Sequence, residues 1–113
     1  MGRDMESIIY DRRVEDVFRR LDKGLEKVDC SLVDYNREED VVKMTFRNGK
    51  QCVLNTRRAA SQIWLAARAK GWHFSYDEAS GQWIDGKHGR MELFSTIASI
   101  VQEESGLVLQ WGE

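Results

Sequence analysis

Apolar residues recur at three- and four-residue steps through the first quarter of the chain: Tyr10, Val14, Val17, Phe18, Leu21, Leu25 and Val28. That is the period of one helical face, and it predicts a helix over 7–28. Gly24 falls away from this face, where it would lower helix propensity by about 1 kcal/mol without breaking the pattern. From residue 31 the period changes to two. Residues 31–35 read as a short strand and 36–40 as a polar turn. Over 41–47, Val42, Met44 and Phe46 alternate with Lys43 and Thr45. Asn48-Gly49 is a hairpin signal leading into a strand at 51–55. A connection at 56–61 precedes strands at 62–66, 72–77 and 82–84, with turns at 69–71, 78–81 and 85–89. The count is about six short strands in an antiparallel meander.

A second helix is predicted over 90–104, with Met91, Phe94, Ile97, Ala98 and Val101 as its buried stripe and Ser105-Gly106 as its stop. The tail 107–113 is too apolar for a loose end and is expected to pack on the helices, whereas 1–6 are expected to be disordered. The order helix, strands, helix predicts a single α+β domain. It is a two-layer sandwich with both helices on one face of the sheet and the other face open.

Composition agrees with one folded domain: 113 residues, 42% apolar and 32% charged, too apolar for a disordered chain. A net charge of −2 gives no general attraction to nucleic acid or anionic lipid. No apolar run reaches the ~18 residues of a membrane span. The acidic start lacks the features of a secretory or transit sequence and fits a bacterial cytoplasm, or a mitochondrial matrix if the chain is a processed form. Cys30 and Cys52 lack metal-ligand spacing and read as free, partly buried thiols.

Within the 62–66 strand, Ile63 and Leu65 point one way and Gln62, Trp64 and Ala66 the other. If the first pair faces the core, Trp64 stands on the open face, where a tryptophan is well suited to anchoring a partner. The helix charges are also sorted. At about 100° per residue, Asp11, Glu15, Asp22, Glu26 and Asp29 share a stripe roughly 60° wide beside the apolar face. Arg12, Arg13, Arg19, Arg20, Lys23 and Lys27 take the remaining surface, with Asp16 among them. Such a stripe attracts cations or a basic surface, although most charged helix faces are simply solvated. His73 and His88 are the only histidines. Neither has triad-like spacing, and no phosphate-binding glycine motif is present.

The series Val53-Leu54-Asn55, Gln62-Ile63-Trp64-Leu65-Ala66, Trp72-His73-Phe74-Ser75-Tyr76-Asp77 and Trp83-Ile84 resembles the frataxin family, in particular its bacterial CyaY branch, over about residues 10–106. The resemblance implies the same helix–sheet–helix fold and a protein that acts by binding, with weak ferroxidase-type chemistry the one activity it allows. It implies an acidic ridge that holds Fe²⁺ or Fe³⁺ weakly and meets a basic patch on a cysteine desulfurase. Glu15, Asp22, Glu26, Asp29 and Asp34 fall at the family's acidic positions, and Asp11 joins them by geometry only. Asn55, Gln62 and Trp64 fall at the positions that face the iron–sulfur scaffold protein, and Asp22 and Glu26 at those that face the desulfurase. Lys23 and Lys27 stand where the family often carries further acids, and Ala59 where it usually has proline. The implied protein is a monomer that regulates cluster assembly or supplies its iron. Two alternatives are an iron-oxidising or iron-storing oligomer and a sheet that binds single-stranded nucleic acid through Trp64, His73, Arg57 and Arg58.

Overall fold

The computed structural model describes residues 5–87 and 89–111. Helix α1 (Met5–Leu25) is followed by seven strands and helix α2 (Leu93–Ser105). The strands are β1 (Val33–Glu38), β2 (Val41–Phe46), β3 (Gln51–Arg57), β4 (Gln62–Ala67), β5 (Lys70–Asp77), β6 (Gln82–Asp85) and β7 (Met91–Glu92). They form one antiparallel sheet in sequence order. A single 3₁₀ turn, Arg58–Ala60, links β3 to β4.

Strand alternation builds the core. Met44, Leu54, Ile63, Leu65 and Phe74 point inward and are fully buried, against Leu21 of α1 and Ile97 of α2. Lys43, Gln51, Ala66, His73 and Ser75 occupy the opposite parity and are exposed. Sheet and helices therefore share one apolar interface, the expected two-layer sandwich, and the outer sheet face is left open.

Several boundaries differ from the periodicity reading. Helix α1 starts at Met5, so Met5 and Glu6 of the expected disordered leader are helical. It ends at Leu25, three residues early, where a Val28 N–H to Leu25 carbonyl bond (3.1 Å) tightens the chain into a turn. Strand β1 takes in Asn36–Glu38, because a two-residue turn at Glu39-Asp40 lets Glu38 pair with Val41. Met91 and Glu92 fit a helical period, yet they pair with β6 as a seventh strand, two residues long. Helix α2 then begins with the Glu92 carboxylate accepting the Phe94 and Ser95 amides, and Leu93 and Ile100 join its buried face. Cys30 is exposed and Cys52 buried; both are free.

The tail crosses both helices. The Trp111 indole N–H donates to the Phe94 carbonyl (3.0 Å), and the two rings meet edge-on at 5.1 Å. On the other side the indole covers Gly24: a Cβ there would sit 2.6 Å from the ring. Gly24 is therefore not a solvated interruption of the helix; its missing side chain is the space the tryptophan fills.

Candidate functional site

The members of the expected acidic stripe differ in what they hold. Asp11 accepts from Arg58 Nε and Nη2, both at 3.1 Å, tying α1 to the 3₁₀ turn. Asp22 accepts from the Tyr35 hydroxyl (2.5 Å) and from Arg37 (3.3 Å), joining α1 to β1. Burial pushes the Tyr35 phenol up, and its bond to Asp22 adds to the rise. Glu26 lies one residue past α1, its amide still bonded to the Asp22 carbonyl (2.9 Å), and Asp29 lies farther on, where it accepts the Ser31 amide and hydroxyl at 2.9 Å. Those two bonds hold its carboxyl below the ordinary range. Asp34 alternates away from buried Val33 and lies on the outer sheet face opposite Thr45. Glu15 and Glu26 are exposed, and neither side chain has a hydrogen bond or ion pair among the described residues.

Three of the six acids thus stabilise the fold at this edge. Glu15, Glu26 and Asp34 present charge outward from separate places. Among the described residues no three Asp, Glu, His or Cys side chains gather as a metal site. Dispersed carboxylates of this kind suit hydrated hard cations or a basic protein surface better than a closed coordination cage.

The outer sheet face carries a row of side chains across three strands: Asn55, Trp64 and His73 are directly paired across the β3–β4 and β4–β5 ladders. The His73 imidazole stacks on the half-buried Trp64 indole at 4.1 Å and 9°. The Arg57 guanidinium lies over the indole as well, 4.1 Å from its ring centre. The indole N–H donates to Gln62 Oε1 (2.8 Å), and Gln62 Nε2 donates to Ser75 Oγ (3.1 Å). The Gln62 carbonyl in turn accepts the Tyr10 hydroxyl at 2.8 Å, anchoring the row to α1. Burial pushes the Tyr10 phenol up, partly offset by the Arg57 amide. Asn55, Gln62 and Trp64 are therefore brought together as the sequence implies. Arg57 and His73, which the nucleic-acid alternative grouped with Trp64, complete the row, and it is the strand register that sets His73 directly beside the indole.

Asp85 carries no functional expectation from sequence, yet it is a buried carboxylate (2% exposed). It accepts the amides of His73 (3.0 Å) and Lys87 (2.7 Å), satisfying backbone donors where β6 leaves β5. His88, named above as one of two histidines, lies outside the described residues.

A one-sheet sandwich with acids along one helix edge and an open, tryptophan-bearing sheet face defines a small α+β domain. The sequence model of the frataxin-like domain matches residues 3–107, and the chain belongs to that family. It is 39% identical over 90 residues to an iron-sulfur cluster assembly protein CyaY of Delftia acidovorans, covering 80% of this chain and 79% of that one. A CyaY protein of Ectopseudomonas mendocina is 37% identical over 100 residues, covering 88% and 83%. Among solved structures, the frataxin from Psychromonas ingrahamii superposes with a TM-score of 0.85 at 21% identity, covering 96% of this chain and all (100%) of that one. The trimeric yeast frataxin from Saccharomyces cerevisiae, complexed with ferrous iron, gives 0.61 at 16% identity over 95% and 91%. At such identities the structures speak for the fold alone.

Proposed function

We propose that this protein is an accessory factor of iron–sulfur cluster assembly in the bacterial cytoplasm, acting by binding and not by turnover. The acidic edge of α1 docks a basic surface of the cysteine desulfurase and holds ferrous or ferric iron loosely as cargo. The outer sheet face, centred on Trp64, meets the desulfurase–scaffold complex. The names of the relatives support the pathway. The observation that supports the surface assignment is the pair of exposed carboxylates, Glu15 and Glu26, which have no hydrogen bond or ion pair among the described residues, beside an open sheet face.

The acids differ in what else they hold. Asp22 is engaged by Tyr35 and Arg37, so replacing it loosens the α1–β1 contact as well as removing charge. Glu15 and Glu26 can be reversed without losing a hydrogen bond or ion pair among the described residues. Titration of a bacterial cysteine desulfurase by calorimetry at low salt is expected to show binding. Glu15→Lys/Glu26→Lys should weaken it by about tenfold, the effect of ~1.4 kcal/mol, with the difference shrinking as salt is added. Equal binding by the reversed variant would remove the helix edge from the interface. The stacking geometry disfavours the nucleic-acid reading, because His73 and Arg57 already occupy the indole that a base would need.

A further inference from the structure

Resting on the reading of the sheet face as a partner surface, we propose that this face receives an extended acidic segment of the partner. One carboxylate would rest on the Arg57 guanidinium and a second would enter the depression between His73 and Lys87.

The Arg57 guanidinium carbon lies over the Trp64 indole, 4.1 Å from its ring centre. A planar guanidinium matches the two oxygens of a carboxylate, and because this one already rests on the indole, less freedom is lost on binding. Nearby arginines are spoken for: Arg58 pairs with Asp11 and Arg90 with Asp77. Arg57 has no acidic partner among the described residues. Since the indole ring is covered and its N–H is bound to Gln62, the stack offers polar edges more than an apolar seat.

Next to His73 lies a depression of about 520 Å³, bordered by Gln62, Ser75, Ile84 and Lys87. Two acids, Asp85 and Asp77, also border the depression, and both are engaged. Asp85 accepts two backbone amides, and Asp77 accepts from Ser80 (2.7 Å) and Arg90 (3.4 Å). Lys87 has no acidic partner among the described residues. In a chain of net charge −2, Arg57 and Lys87 are thus exposed cations with no ion pair among the described residues, while Asp34 and Glu38 of the same face lie on edge strand β1. The charge complement is an anion. Arg57 on β3 and Lys87 just beyond β6 lie three strand spacings apart across the sheet, at least about 14 Å, which an extended chain covers in about four residues or slightly more.

The test is an NMR titration of the ¹⁵N-labelled protein at low salt with a blocked peptide bearing two glutamates about four residues apart. The same peptide with glutamines and a single-stranded thymidine oligonucleotide are titrated in parallel. The glutamate peptide should shift the Trp64 indole N–H and the Lys87 amide saturably, the glutamine peptide should not, and Arg57→Gln should weaken the effect about tenfold. Equal shifts from both peptides, glutamate-peptide shifts confined to the basic residues of α1, or tighter binding of the oligonucleotide at the same peaks would each overturn the proposal. No desulfurase or scaffold is present, so a negative result here, with desulfurase binding intact, rejects the acidic segment and leaves the proposed function standing.

Discussion

Single residues at the α2 end of the molecule show how charge and burial set stability. Glu104 on α2 accepts from Asn48 (2.8 Å) and Arg68 (2.9 Å), with Lys50 at 3.9 Å, and Arg68 also pairs with Glu103. The Asn48 bond foremost, then Lys50 and Arg68, holds the Glu104 carboxyl below its ordinary value against the opposing effect of desolvation. A carboxyl depressed in the folded chain binds its proton less readily there than when unfolded. Its contribution is therefore complete above the unfolded value of about 4.3 and is lost as pH falls through the folded value. Glu104→Gln should melt below wild type at neutral pH, and the two melting curves should converge in acid; a constant gap would show that charge is not the cause. Cys52 behaves differently, since burial pushes its thiol up to about 12. In the native protein a thiol reagent should modify Cys30 readily and Cys52 only on unfolding; rapid reaction of both would contradict the packing around β3. At this scale the sequence indicated that Trp64 faces outward, but not that His73 and Arg57 stack on it. Those contacts depend on cross-strand register and on rotamers. The acids were likewise legible as a stripe on a helical wheel, but their partners Tyr35, Arg37 and Arg58 come from other elements.

The elements show where local pattern yields to tertiary contact. Periodicity located both helices and the strand order. It missed β7 because Met91 and Glu92 suit a helical stripe, and only the neighbouring β6 edge makes a strand the better use of their backbone groups. The turn between β4 and β5 uses Arg68 and Ala69, both at positive φ (54° and 62°), in place of the glycine or asparagine that a two-residue hairpin favours. Gly24 is the sharpest case. By helix propensity, Gly24→Ala stabilises by about 1 kcal/mol. Against the Trp111 ring it must displace the tail, so we expect net destabilisation by about 1–2 kcal/mol. In a Trp111→Ala background the same change should become stabilising, and denaturant melts of the four proteins form the cycle that measures this coupling. Additive effects would show that the tail does not rest on Gly24.

At the scale of the whole molecule, the fold separates two surfaces. Helices on one side of the sheet leave the other side open, and α1 sits so that its acidic edge flanks β1 while Arg13 and Arg20 turn toward Tyr76 and Phe94 (both 3.9 Å). The basic residues of α1 are thus partly fold-forming, clasped over aromatic rings, and the outward acids Glu15 and Glu26 stand on the opposite flank. Sidedness of this kind was only half legible. The hydrophobic pattern fixed which strand residues face out, but Asp34 belongs to the open face and not to the helix edge because of strand parity in a sheet whose register the chain alone does not reveal. The most direct measurement of the account is the rate of cluster formation on the scaffold protein, reconstituted with cysteine desulfurase, cysteine and ferrous iron, with and without this protein. The account predicts that the wild type changes that rate and that Glu15→Lys/Glu26→Lys and Trp64→Ala each lose most of the effect while remaining folded. A rate unaffected by wild-type protein would contradict it.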